Sequence, residues 1–141
     1  MNIFKQMYCN ITMTSIVGAF NNHFMEMVED IACVFPDDLD ILSAKNSLIA
    51  IRKMNPKILI RSWDTFVVSK YRQEIENGDL TYFLNKDYTQ DVESSPESGR
   101  ILEAIDRLRH PIKQMSSENQ AKILKYLQNL SKLTTVFKQQ G

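Results

Sequence analysis

Glycine, histidine and cysteine are scarce in this chain of 141 residues, and each shortage excludes a type of chemistry. Four scattered glycines cannot supply the glycine-rich loops that bind phosphate groups. Cys9 has no histidine nearby in the sequence. Cys33 lies between apolar neighbours on a predicted core helix, where burial raises the pKa of a thiol and keeps it unreactive. We therefore predict a protein without enzymatic activity and without a cofactor.

Long apolar runs are also missing. The first twenty residues are interrupted by Lys5, Gln6 and Asn10, whereas a membrane-spanning helix needs about 20 consecutive, mainly apolar residues. The same segment does not have the pattern of a secretory signal, so we expect the two cysteines to be reduced thiols in an intracellular protein. The sequence predicts no membrane span.

The composition is that of an ordinary globular domain. Hydrophobic residues make up 43% of the chain and charged residues 24%. A domain of this length buries roughly 68–70% of the surface that its unfolded chain exposes, which is enough for a core without metal ions or disulfide bonds. We expect one helical domain over residues 15–139, preceded by an N-terminal arm at residues 1–14.

Apolar residues recur every three or four positions through most of the chain, which predicts helices. The first helix covers residues 15–35 and ends before Pro36. Asp38 or Asp40 is the expected N-cap of a second helix, which runs to Met54. The periodicity leaves two candidate buried stripes on the second helix: Ile41, Leu48 and Ile51, or Leu42 and Ile49 with Ala44.

The third helix has the clearest boundaries in the sequence. Asn55 is a good N-cap, and Pro56 suits the first helical position, where its missing N–H costs nothing. The helix is expected to end at Asn77-Gly78, because glycine readily takes the left-handed conformation that stops a helix. Its predicted buried stripe consists of Leu59, Ile60, Trp63, Phe66, Val67, Tyr71 and Ile75.

The C-terminal half contains a predicted loop and two further helices. Residues 86–98 are acidic and poor in apolar residues, which predicts a flexible surface loop. A fourth helix begins at Ser95-Pro96, and Pro111 should kink or end it. Ser117 and Gln120 have the spacing of a capping box for a fifth helix. The predicted inward stripe of that helix is Leu124, Leu127, Leu130, Leu133 and Phe137. The expected fold class is all-α, a single-domain bundle of about five helices.

Charge is sorted along the chain, although the formal net charge is zero. Residues 1–40 and 74–97 are acidic, whereas residues 41–73 and 98–141 are basic. Oppositely charged surfaces orient neighbouring proteins during association. An equally simple interpretation is that acidic and basic helices pack beside each other inside the fold. Where the bases stay unpaired, the candidate partner-binding residues are Lys45, Arg52, Lys53, Lys57 and Arg61.

The same basic region contains aromatic residues, as nucleic-acid-binding surfaces do. Trp63 and Tyr71 nevertheless fall on the predicted apolar stripe of the third helix, which makes them core residues. A net charge of zero also removes the electrostatic attraction on which nonspecific nucleic-acid binding depends. We therefore do not expect nucleic acid to be the partner.

His23, Glu26 and Glu29 lie within reach of one another on one helix, with Asp30 beside them, so binding of a divalent metal is geometrically possible. Metal sites in helical bundles normally draw their ligands from several helices, and His110 is the only other histidine. We interpret the group as a solvated acidic face and predict no metal site.

Several short segments form a combined pattern that extends from Phe20 to Leu133. They cover residues 20–24, 34–38, 40–41, 51–57, 76–79, 83–88, 105–111, 118–120 and 126–130. Together they resemble a group of small proteins encoded by nucleocytoplasmic large DNA viruses of algae and protists. The resemblance implies a viral helical protein, and no catalytic residues of that group are carried over.

On this basis we predict a non-enzymatic component of the virion, such as a minor capsid protein that bridges larger capsid proteins. It would be located in the virion and, before assembly, in the host cytoplasm. The alternative is a viral adaptor in transcription or genome packaging that contacts nucleic acid or a polymerase subunit. A third hypothesis, an enzyme of an unrecognised helical class, would depend on the group around His23.

Overall fold

The computed structural model describes the backbone of residues 2–85 and 96–140, and the side chains of residues 16–85 and 99–140. All regular structure within these ranges is helical, and it confirms the predicted all-α, single-domain bundle. The elements are α1 (Asn2–Val34), α2 (Leu39–Met54), α3 (Ile58–Trp63), a π-helical segment (Asp64–Val68), α4 (Ser69–Glu76), α5 (Leu80–Asn85), α6 (Pro96–Lys113) and α7 (Ser117–Gln140). Most of the predicted acidic loop lies outside the described residues.

The first helix is longer than predicted. Its backbone begins at Asn2 rather than Ser15, so the segment assigned to an N-terminal arm continues α1 as helix. The helix ends at Val34, before Pro36, as expected. The apolar residues that recur along this helix predict a buried stripe of Ile16, Phe20, Phe24, Met27, Val28, Ile31 and Phe35. The first six are each at most 6% exposed, whereas Phe35, beyond the end of the helix, is only partly buried.

The second helix is capped by Asp38, whose Oδ1 accepts hydrogen bonds from the backbone N–H groups of Asp40 (2.9 Å) and Ile41 (3.2 Å). Of the two candidate stripes, the structure buries the one with Ile41, Leu48 and Ile51, together with Ala44. Leu42 and Ile49 remain exposed. The rotation of α2 about its own axis is therefore set by its packing against α1 and α6.

The predicted third helix is wrong in one respect, because it is not a single continuous α-helix. Asn55 accepts a hydrogen bond at Oδ1 from the N–H of Lys57 (3.3 Å), yet helical residues begin only at Ile58. At residues 64–68 the helix widens into a π turn, in which the Ser69 N–H bonds the carbonyl of Asp64, five residues back. The extra residue of the π turn rotates the following side chains about the helix axis. Three consecutive residues, Phe66, Val67 and Val68, are buried there.

The stop at Asn77-Gly78 is confirmed. Gly78 has a φ of +81°, the left-handed conformation that glycine adopts without a steric penalty. The N–H of Gly78 bonds the carbonyl of Ile75 (3.1 Å), and the N–H of Asp79 bonds that of Glu74 (2.7 Å). These two bonds form a Schellman motif, which satisfies carbonyl groups at the end of α4.

The junction of α6 and α7 differs from the predicted capping box. Ser116, not Ser117, caps α7, since its Oγ accepts the N–H of Asn119 (3.2 Å). Gln120 instead donates from Nε2 to the carbonyl of Ile112 (3.0 Å). This carbonyl lies near the end of α6, which stops two residues after Pro111, and it offers Gln120 an acceptor that local sequence spacing does not show.

The face of α7 that is buried also differs from the predicted stripe. Leu127 and Leu130 are fully buried as expected, but Leu124, Leu133 and Phe137 are only partly buried. Their predicted places in the core are taken by Ile123, Ser131 and Thr134. The two hydroxyl groups are compatible with burial because they donate to the carbonyls of Leu127 (2.9 Å) and Leu130 (2.8 Å).

The core is organised around Trp63, which is 1% exposed. Its ring contacts those of Phe24 (centroids 5.7 Å apart), Phe83 (6.0 Å) and Phe20 (6.3 Å). The helix that carries Trp63 contacts α1, α6 and α7. Helix α1 also packs against both α2 and α7, and these contacts place the end of α2 close to the end of α7.

Candidate functional site

A groove of about 880 Å³ lies where α1, the end of α2, the turn before α3 and the end of α7 meet. Each of these segments contributes side chains to it, so the groove exists only in the folded bundle. Its lining consists of Val17, Gly18, Asn21, Ile49, Arg52, Lys53, Asn55, Pro56, Lys57 and Phe137.

The groove has an apolar floor. Val17, Ile49, Pro56 and Phe137 come from four different segments and form this surface. Ile49 is 37% exposed, although an apolar residue of its size is usually buried. Sequence reasoning did not identify the floor: Phe137 was assigned to the core, and Ile49 to one of two alternative core stripes. An apolar groove of this kind is typical of sites that bind an apolar group.

One rim of the groove is basic. It brings together three of the five predicted partner-binding residues, Arg52, Lys53 and Lys57. Arg52 is positioned by a hydrogen bond from its Nη2 to Oδ1 of Asn22 on α1 (2.5 Å). Among the described residues, no acidic side chain lines the groove. Lys53 and Lys57 therefore give the rim a local positive charge although the chain as a whole is neutral, whereas Arg52 also lines a neighbouring pocket with three acidic residues of α1.

The other two predicted binding residues lie elsewhere. Lys45 is on α2, where its Nζ forms an ion pair with Glu29 of α1. Arg61 is exposed on α3 and does not line the groove. The pair between Lys45 and Glu29 shows that part of the sorted charge is neutralised within the fold, between an acidic and a basic helix. The interpretation that acidic and basic helices pair inside the fold therefore holds for Lys45, whereas partner binding by Arg52, Lys53 and Lys57 stays a prediction.

Asn21 connects two of the segments that form the groove. It is 2% exposed, and its Nδ2 donates to the carbonyl of Pro56 (2.9 Å), which ties the turn before α3 to α1. Within the described residues, its Oδ1 accepts no hydrogen bond.

The group around His23 does not form a metal site in the part of the chain that the structure describes. No three His, Cys, Asp or Glu side chains come together there closely enough to hold a metal ion. His23 contacts Glu26 (3.7 Å) and Asn129 (3.5 Å), and its ring packs on that of Tyr126, with the centroids 4.7 Å apart. The contacts with Asn129 and Tyr126 join α1 to α7.

Tyr126 has a strongly altered pKa. Its pKa is raised from 10 to about 12, and burial is the largest cause. The second cause is the hydrogen bond that its hydroxyl donates to Oδ2 of Asp30 (2.5 Å), and the third is nearby negative charge. The neutral phenol is therefore favoured in the folded state. Its contribution to stability is complete below pH 10 and is lost as the pH rises from 10 to 12.

We expect an ultraviolet titration of the folded protein to show one tyrosine that ionises near pH 12. Tyr126→Phe should abolish this late step, and Asp30→Asn should move it to lower pH without bringing it fully to 10, because burial remains. Tyr82→Phe, which removes a half-exposed tyrosine, is the matched control and should leave the late step unchanged. Ionisation of Tyr126 near pH 10 would contradict the contact with Asp30.

The burial predicted for one cysteine and for two aromatic residues has different outcomes. The prediction that Cys33 is buried is wrong, since its side chain is exposed. It lies near the end of α1 on the face opposite the buried Ile31 and Val28 stripe. Trp63 and Tyr71, in contrast, are buried core residues as predicted, at 1% and 6% exposure. They cannot serve as a stacking platform for bases, which a single-stranded nucleic-acid site would require.

None of the helices in the described part of the chain is both long enough and apolar enough to cross a membrane. Comparisons with protein-family models, with curated proteins and with solved structures found no match to this chain.

Proposed function

We propose that this protein acts by binding other proteins, as a non-enzymatic component that bridges larger partners. The observation that carries the proposal is the groove, which combines an apolar floor with the basic rim of Arg52, Lys53 and Lys57. The resemblance to proteins of large DNA viruses supports a more specific form of it: a minor capsid protein or another virion component.

Both parts of the groove suit a protein partner. Burial of one leucine-sized side chain on the floor would contribute about 1.5–3 kcal/mol. The exposed lysines of the rim would mainly accelerate association with an acidic surface, because rim charges act on the association rate more than on affinity. A bridging protein needs both properties, since it has to find its partner and then hold it.

The alternative function is a viral adaptor in transcription or genome packaging. It is favoured by the same rim, because three cations without an acidic neighbour in the groove lining could contact phosphate groups. The apolar floor has no role in such contacts, and the buried positions of Trp63 and Tyr71 remove the aromatic residues that would stack on bases. Binding of protein therefore accounts for more of the groove than binding of nucleic acid does.

The experiment that separates the two functions measures retention on immobilised major capsid protein and on immobilised duplex DNA while salt is varied. We expect binding to the capsid protein with a shallow salt dependence. If DNA were bound through three phosphate contacts, raising the salt concentration from about 50 to about 200 mM would reduce the affinity roughly 40-fold. With six contacts, the same rise in salt would reduce the affinity roughly 10³-fold. Tight, salt-sensitive DNA binding without capsid binding would overturn the bridging function and support the adaptor.

A further inference from the structure

Gly18 lies in the interior of α1, and the fold gives no reason for a glycine there. Its φ is not positive, so no special backbone conformation requires it. A Cβ atom built at this position would have no heavy atom within 4 Å, so no close approach requires it either. Glycine nevertheless destabilises a helix interior relative to alanine. Gly18 thus costs stability without relieving a contact within the described residues.

The empty space at Gly18 opens on the groove. Val17, Ile49 and Phe137 line the same groove, and these three residues come from three different helices. A large apolar side chain entering from outside would therefore meet apolar atoms on several sides. The absent side chain of Gly18 provides the room for it.

The charged residues around this space indicate which charge the incoming segment should carry beside its apolar side chain. Arg52, Lys53 and Lys57 form the rim, and no acidic residue is among the groove's described lining. Within the described residues, no ion pair involves Lys53 or Lys57. Carboxylates on the incoming segment would find these cations available.

The architecture favours a helix as the incoming segment. The described part of the chain contains no strand, and therefore no sheet edge to which an extended peptide could add. The groove is instead formed by α1, α2 and α7. An amphipathic helix lying in a groove between helices is a common mode of peptide recognition.

We propose that the groove binds an acidic helical segment of a partner protein, with one large apolar side chain of that segment seated over Gly18. This assignment rests on the proposed protein-binding function and names the chemistry of the partner. The apolar side chain is the anchor of the complex, and the carboxylates of the segment lie against Arg52, Lys53 and Lys57.

The probe for this site is a labelled synthetic helix that carries leucine along one face and glutamate along the other. We expect fluorescence anisotropy to show binding, and amide resonances of residues around Gly18 to shift in nuclear magnetic resonance spectra. A scrambled peptide of the same composition should bind at least about tenfold more weakly, because it cannot present its leucines on one face. Equal binding of both peptides, or shifts located away from Gly18, would overturn the proposal.

Gly18→Trp fills the space and is the decisive variant. It should weaken binding of the probe at least about tenfold, while the melting temperature stays the same or rises, since a helix-breaking glycine is removed. Ala19→Trp is the matched control, because Ala19 is the next residue on α1 and its side chain is exposed outside the groove. This control should bind the probe normally. Unchanged binding by folded Gly18→Trp would show that the anchor does not lie over Gly18.

A charge exchange tests the rim independently of any change at Gly18. Lys53→Glu combined with Lys57→Glu alters only exposed side chains, so the fold should be retained. The double variant should lose affinity for the glutamate probe and gain affinity for a probe in which lysine replaces glutamate. Retention of the original preference would contradict the role of the rim.

The two proposals fail in different ways. If Gly18→Trp retains full binding to the capsid protein, the docking proposal is wrong and the bridging function stands on another surface. If the natural chain does not bind the capsid protein, the bridging function is wrong even where the peptide binds. A duplex oligonucleotide that displaces the peptide with a steep salt dependence would identify nucleic acid as the occupant and overturn both.

Discussion

Trp63→Ala should lower the free energy of unfolding by about 3–5 kcal/mol. Trp63 is 1% exposed and contacts the rings of Phe20, Phe24 and Phe83, which lie on two other helices. The substitution removes the largest side chain of the core and leaves a cavity that rigid helices cannot fill completely. Urea unfolding followed by circular dichroism would measure the change.

The matched control for this substitution is Tyr82→Ala, which removes an aromatic side chain that is 48% exposed. We expect it to cost far less, because most of the ring is already in water and little cavity is formed. Ser131→Ala tests the smaller polar contribution, since Trp63 Nε1 lies 3.5 Å from Ser131 Oγ, at the limit of a hydrogen bond. A near-neutral effect of Trp63→Ala would place this residue on a binding surface and contradict the fold.

Leu48→Ala should destabilise the protein by about 2–5 kcal/mol, whereas Leu42→Ala should change stability by no more than about 0.5 kcal/mol. Both leucines are on α2, and both have the spacing of a core residue. In the structure, Leu48 is 0% exposed and Leu42 is 51% exposed. Two chemically identical changes in one helix therefore measure burial alone.

Thermal and urea unfolding of the two variants would test this difference. Their helix content in native conditions should match that of the natural chain, which shows that the helix itself is unaffected. If Leu42→Ala is the more damaging change, α2 is rotated about its axis relative to the structure. Such a rotation would also move Ile49 and Lys53 out of the groove, so the same measurement tests the geometry of the candidate site.

The candidate site could be predicted only in part. The basic residues at 52, 53 and 57 were identifiable because a cluster of like charges is visible in a linear sequence. Val17, Ile49 and Phe137 could not be identified as one surface, since they are far apart in the chain and meet only through packing. Gly18 offered a weak signal, as a glycine in the middle of an otherwise helical pattern.

Errors in the sequence-based predictions also follow a physical rule. The capping box at Ser117 did not form, because Ser116 caps α7 and Gln120 donates instead to a carbonyl at the end of α6. Cys33 was predicted to be buried from its apolar neighbours, but it lies on a face of α1 that no other described helix covers closely enough to bury it. The outcome at Gln120 was decided by a carbonyl group on another helix, and the outcome at Cys33 by the absence of a covering neighbour among the described helices.

The sequence by itself determined the all-α fold class and several of the helix ends. The cap at Asp38 and the stop at Gly78 depend on hydrogen bonds and backbone conformations within a few residues, so local sequence contains the information. The tertiary structure alone decided that Leu48 rather than Leu42 is buried, that Lys45 pairs with Glu29, and that a groove opens over Gly18. These outcomes depend on which helix faces meet, because burial and charge pairing are properties of two surfaces and not of one.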